Sequence, residues 1–258
     1  MEIMKIKDGR YAEYEKLLLE RDRYRQEGAG FLRLYIHTFG DLISAVFQKK
    51  ISCIKKKKML SFCMSYINRG ESVDINAMDL YITEEMKTYE QQLVEMLHDN
   101  ELCRQLHRIP EDEALQIRQL YRRIARRLHP DINPLTADSE ALSELWNRVS
   151  LAYECNDLKE MTELEILTER ALDELGQGCI EISVPDITEK IEALYEEIER
   201  IRTTDPYRYK FLLEDPSLVE EKKSELQAEL EEYEQYEAEL QAQLKQLISE
   251  GGTFTWMN

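Results

Sequence analysis

The C-terminal third of the chain places Ile187, Ile191, Leu194, Ile198 and Ile201 at alternating steps of four and three residues. Only a helix brings such positions onto one side, and the repeat makes that side a seam that needs a partner. A second run, Val219, Leu226, Leu230, Tyr233, Leu240, Leu244 and Leu247, keeps the alternation except where it passes over Lys223 and Glu237. Pro185-Asp186 and Pro216-Ser217 open the two helices, and Asp205-Pro206 ends the first. Joined by about fifteen residues, they are expected to form an antiparallel coiled-coil hairpin over 186–250, followed by a flexible tail over 251–258. The arms are unequal, roughly 25 Å against roughly 50 Å. The end of the longer one, with Leu240, Leu244 and Leu247, must therefore find another partner, and the N-terminal helices are the expected one.

The rest of the chain is helical as well. Nine glycines and six prolines in 258 residues leave little material for the turns of a β fold. The class is therefore all-α. Residues 1–100 read as an N-terminal helical unit. Tyr11, Tyr14, Leu17, Leu18 and Tyr24 fall at helical spacing, as do Phe31, Leu34, Tyr35, Thr38, Leu42, Val46, Ile51 and Ile54. Asn68-Arg69-Gly70 marks a break, and a third helix is predicted from about Asn76 to His98, with Leu80, Met86, Leu93 and Leu97 inward. Residues 101–175 form a separate central helical module. Pro110 and the acids after it start a helix that runs to Leu128. A loop follows through Pro134. The next helix starts near Asp138 or Ser139, and Asn156-Asp157 caps one more, to about Leu175. Residues 176–185, with Gly176 and Gly178, read as a linker.

The formal net charge is −18, which opposes nucleic acid or an anionic membrane as partner of the whole molecule. No apolar run at the N-terminus resembles a signal peptide, and Phe31 to Phe47 is broken by Arg33, His37 and Asp41, too charged to span a bilayer. The five cysteines are scattered without a C-x-x-C pair, so neither a disulfide framework nor a structural zinc site is expected. These features point to a reduced, cytoplasmic protein. Nothing in the seams distinguishes a monomer from a dimer.

The average charge hides a reversal. Residues 181–258 hold 20 acids and 8 bases, whereas Ala114 to Leu128 holds five arginines and no acid. Arg118, Arg122 and Arg126 lie four apart and form a stripe, with Arg123 and Arg127 beside it. Ile117, Leu120, Tyr121, Ile124 and Leu128 form the opposite, apolar face. The helix is thus expected to pack on one side and show a positive field on the other. It ends at His129-Pro130-Asp131, where Pro130 fixes φ.

The run from Tyr121 to Pro134, YRRIARRLHPDINP, resembles the second helix and HPD loop of a J domain, the module of DnaJ-type co-chaperones. Ala152-Tyr153-Glu154 matches the third helix of that family, and Trp146 and Val149 stand where the family places Phe and Ile. The resemblance covers about 75 of the 258 residues. It implies a protein that is not itself an enzyme but docks on a DnaK-type heat-shock chaperone and stimulates its ATP hydrolysis. His129, Pro130 and Asp131 would be the stimulating loop. Arg118, Arg122, Arg123 and Arg127 fall at basic positions facing the acidic partner, with Arg126 on the same helix. Tyr121 would pack and touch the partner, and Asn133 would be a further loop contact. Such a basic stripe steers association, and binding should weaken with salt. Where the family's first helix carries Tyr-Tyr-x-x-Leu-Gly, this chain has Glu101 to Leu106, and Leu158 to Leu175 replaces the family's fourth-helix motif. The family's Gly/Phe-rich linker and cysteine-rich zinc repeat are absent from the sequence. The flanks are unrelated and would be the place for a client protein.

The alternative is a helical scaffold in which this module is only a packing unit. The run Lys55 to Lys58 points around its helix and reads as solvated. Cys103 and His107 share a helical face, but His98 is out of step and no fourth ligand is near, so no metal is expected. No glycine-rich phosphate loop or nucleophile motif is present, and no cofactor is implied.

Overall fold

The computed structural model describes residues 5–6, 9–105, 110–174, 181–182, 186–249 and 254–255. Among them the fold is all-α, with nine helices. These are α1 (Tyr11–Ile67), α2 (Ile75–Gln105), α3 (Glu111–Leu128), α4 (Pro134–Asp138), α5 (Glu140–Glu154), α6 (Leu158–Glu174), α7 (Ile187–Thr203), α8 (Tyr209–Leu213) and α9 (Pro216–Ser249). The extended pieces among the described residues are two-residue parallel pairs. β1 (Lys5–Ile6) pairs with β3 (Glu181–Ile182), and β2 (Val73–Asp74) pairs with β4 (Phe254–Thr255).

Several expectations change. Residues 11–67 form one helix rather than two, because Gly28, Gly30 and Gly40 cost helix propensity without breaking the backbone ladder. Its end is where the sequence places it, at a turn in which Gly70 takes a φ of 73°. In α2 the inward face is Met78, Ile82 and Met86, with Tyr89 and Leu93 half-buried, whereas Leu80 and Leu97 are exposed. Residues 101–105 continue α2 rather than opening the central module. The segment after the HPD turn is not all loop. Asn133 caps α4, accepting from the Leu135 amide at 3.1 Å, with Pro134 in the first turn. In the linker, Glu181–Ile182 is paired, and in the tail Phe254–Thr255 is paired, since a short ladder satisfies backbone groups that would otherwise need water. The rest of the 176–185 linker, apart from its two paired residues, and the rest of the tail lie outside the described residues, as does His107.

The chain divides into two compact units, each made of two stretches: Met1–Leu32 with His107–Lys210, and Arg33–Leu106 with Phe211–Asn258. This differs from the sequential order read from the sequence, because α1 runs through the boundary and supplies packing surface to both. Helices α7 and α9 fall in different units.

The first unit holds two apolar clusters. In one, α3, α5 and α6 pack on one another through Ile117, Leu120, Ile124, Leu142, Val149 and Leu164, with Tyr121 and Tyr153 stacked at 3.9 Å between ring centroids. In the other, the seam of α7 (Ile187, Ile191, Leu194, Ile198) closes on Tyr11, Tyr14, Leu17 and Leu18 of α1 and on Ile132. Each buried aliphatic side chain contributes roughly 1.5–3 kcal/mol.

In the second unit, α1 and α2 pack through Ile51, Cys63, Met78, Ile82 and Met86, and Leu247 of α9 packs against this cluster. Asn100 donates to the Gly40 carbonyl at 2.9 Å and to Ser44 Oγ at 2.6 Å. A Cβ on residue 40 would lie 2.3 Å from Asn100 Oδ1, so glycine permits this approach. Two members of the lysine run are paired, Lys58 with Glu85 and Lys56 with Glu237.

Glu237 also accepts from Ser52 and Lys49. The Ser52 hydrogen bond first, then Lys56 and Lys49, holds its carboxyl at about 2, well below the ordinary 4.5. The folded state therefore prefers the charged form. Its contribution is complete above the ordinary value and is lost as pH falls through about 2. Glu237→Gln is expected to lower stability by roughly 1 kcal/mol at neutral pH. The loss should vanish near pH 2. Urea titrations at the two pH values check this, and an equal loss at both would contradict it.

Candidate functional site

Helix α3 begins with Glu111, Asp112 and Glu113 and ends with Arg126 and Arg127, so its charges complement the helix dipole at both ends. Its inward face is the predicted one: Ile117, Leu120, Tyr121, Ile124 and Leu128 are all buried. The chain then turns sharply. The His129 amide donates to the Ala125 carbonyl at 2.9 Å, and the His129 carbonyl accepts from Ile132 and Asn133 at 2.9 and 2.7 Å. Asn133 is buried and donates to the Arg127 carbonyl at 2.8 Å, which ties α4 to the end of α3. The geometry makes Asn133 a structural clasp of the loop.

His129 is only 3% exposed, which the sequence does not foretell. Its ring lies 4.7 Å from that of Trp146, edge-on, on the α5 side. On the other side it meets α1. Nε2 lies 3.7 Å from Asp22 Oδ2 and 3.3 Å from an Arg21 guanidinium nitrogen, and Nδ1 lies 3.0 Å from the Asp131 amide. Burial pushes the imidazole pKa below its ordinary value despite Asp22 and Asp131, which favours the neutral ring. A neutral ring has one N–H, and both Arg21 and the Asp131 amide are donors. One ring nitrogen therefore accepts, and the shorter of the two contacts is that of the Asp131 amide to Nδ1.

Asp22 is the centre of this network. It accepts from the Tyr121 hydroxyl at 2.8 Å and pairs with Arg21 at 2.8 Å. Burial opposes the charge of Arg21, but Asp22, Glu197 and Asp131 outweigh it and hold its pKa above the ordinary value. Burial, then Asp22, raises the Tyr121 phenol far out of the physiological range, so it remains a donor. Asp131 is half exposed, with its carboxylate 3.8 Å from Arg21.

The arginines are less free than the sequence suggests. Arg123 pairs with Glu165 at 2.5 Å and Arg127 with Glu169 at 3.6 Å, both on α6, while Arg126 pairs with Glu15 of α1 at 2.7 Å. The expected unopposed field of five charges is therefore corrected. The acids come from helices remote in sequence, which the local run does not reveal. Arg118 and Arg122 form no ion pair among the described residues, and Arg122 is exposed. A cleft of about 500 Å³ between α1 and α3 is lined by Glu15, Glu20, Arg23, Arg122 and Arg126.

The structure thus brings His129, Pro130, Asp131, Asn133 and the arginine helix together at one end of the α3–α5–α6 core. It adds Glu15, Arg21, Asp22 and Gln26 of α1. Their sequence signal is Leu18, Asp22 and Gln26 at steps of four, where polar residues interrupt an apolar stripe. The site offers hydrogen bonds and charge to a protein surface. Among the described residues no group of His, Cys, Asp and Glu is placed to hold a metal, and no helix is long and apolar enough to cross a membrane. No family model, curated protein or solved structure matches the chain.

Proposed function

We propose that the chain is a co-chaperone of the J-domain type, which docks through α3 and the HPD loop on a DnaK-type chaperone and stimulates its ATP hydrolysis. The observation that carries this reading is the arginine-rich α3 ending in the His129-Pro130-Asp131 turn, held against α5 by Trp146, Val149 and Tyr153. Arg118 and Arg122 are the cations open to an acidic partner, and Asp131 of the loop is half exposed. On this reading the protein performs no chemistry of its own, works in the cytoplasm and takes a client on its helical flanks.

A second reading, a helical scaffold with the module as packing unit, is favoured by the burial of His129 and the pairing of three arginines. Binding separates the two. The ATP-bound chaperone should bind the full chain, and Arg118→Glu with Arg122→Glu should weaken binding by roughly tenfold or more at low salt. The scaffold reading expects no binding and no effect of those substitutions.

A further inference from the structure

The first unit is two apolar bodies joined mostly by polar contacts. The α3–α5–α6 core is one, and the α1–α7 pair with Ile132 is the other. Two apolar links join them: the half-buried Leu19 of α1 against the core, and Ile132, which the HPD loop places in the α1–α7 cluster. The remaining join is hydrogen bonds and charge. Glu15 meets Arg126, Asp22 meets Tyr121 and His129, and Arg21 meets Asp131. Gln26 donates to Asn156 Oδ1 and the Tyr153 carbonyl. Every partner on the core side belongs to the arginine helix, the HPD loop, the end of α5 or the turn after it.

We infer that the α1–α7 pair is a lid that keeps this surface latent, with Glu15 and Asp22 occupying the places an acidic docking partner would take. The inference rests on the co-chaperone reading and adds its regulation. Charged and polar joins are exchangeable in a way that a shared apolar core is not, because an incoming surface can replace each contact with one of the same kind. Within each body the apolar seam keeps the helices together, so the lid leaves as a pair and draws away from Ile132 of the loop. The cleft beside Arg122 and Arg126 gives an acidic surface a first foothold while the lid is closed. A partner that must open the lid binds with its affinity reduced by the closed fraction.

The test uses the full chain carrying Glu15→Lys and Asp22→Asn. The first turns the Glu15–Arg126 pair into a repulsion at an exposed edge. The second keeps an acceptor for Tyr121 while removing the charge beside His129. Two quantities are read: deuterium exchange at the His129 ring C2 position, and single-turnover ATP hydrolysis by a DnaK-type chaperone. The lid predicts exchange several-fold faster than in the wild type and stimulation at limiting protein raised about tenfold. Adding His129→Gln to the released chain should return hydrolysis to the unstimulated rate. Wild type that stimulates as well as the variant overturns the lid and leaves the co-chaperone reading standing. Faster exchange without stimulation by either overturns the co-chaperone reading. Unchanged exchange in a folded variant overturns the lid. Should circular dichroism show the double variant unfolded, Glu15→Lys alone carries the same test, with an effect of about threefold.

Discussion

Asp22→Ala is expected to destabilise the first unit by about 3 kcal/mol, the scale for removing one member of a buried charged network. Asp22 is buried, and three groups face it: the Tyr121 hydroxyl, the Arg21 guanidinium and Nε2 of His129. Alanine leaves the hydroxyl without its acceptor. It also leaves Arg21 with carboxylates no nearer than 3.8 Å, at Asp131 and Glu197. Asp22→Asn should cost about half as much, since the hydrogen bond to Tyr121 survives. Tyr121→Phe in the Asp22→Ala background should add little, because the partner has already gone. Denaturant unfolding can be followed by Trp146, which sits against His129, in a Trp256→Phe background. A loss below about 1 kcal/mol would show that the network is not holding α1 to the core.

The second large effect is expected at Ile191, fully buried in the α7 seam against α1. Ile191→Ala should cost about 3 kcal/mol, from lost apolar burial and the cavity left behind. The neighbouring Glu192 is exposed, and Glu192→Ala should stay within about 0.5 kcal/mol. Similar losses at the two positions would mean that the α7 seam is not closed by α1.

The helical class, the ends of α3, α5 and α6, and the inward face of α3 were all legible, because each follows from local spacing and capping. Ser139 accepting from the Leu142 amide and Asp157 from the Glu160 amide are interactions within four residues. What spacing does not contain is the identity of a partner. The seam of α7 requires an apolar face opposite it, and the sequence offers several. The structure supplies Tyr11, Tyr14, Leu17 and Leu18. The same limit applies at the site. A run of five arginines without an acid reads as a bare positive field, yet Glu15, Glu165 and Glu169 arrive from other helices to pair with three of them. His129 was legible as a loop residue, and its burial was not, since the helix that covers it lies more than a hundred residues earlier in the chain.

These contacts give the two functional readings different consequences. If the module is only a packing unit, the Asp22 network is its purpose, and opening it brings loss of stability alone. If the module docks on a chaperone, the same network is a closure that competes with docking, and weakening it trades stability for activity.

The most direct measurement of the central claim is single-turnover ATP hydrolysis by the DnaK-type chaperone of the same cell, with the full chain added as wild type, as the Glu15→Lys, Asp22→Asn variant, and as that variant carrying His129→Gln. The account predicts weak stimulation, strong stimulation and none, in that order. No stimulation by either of the first two chains, with His129 shown to be exposed in the second, would contradict it.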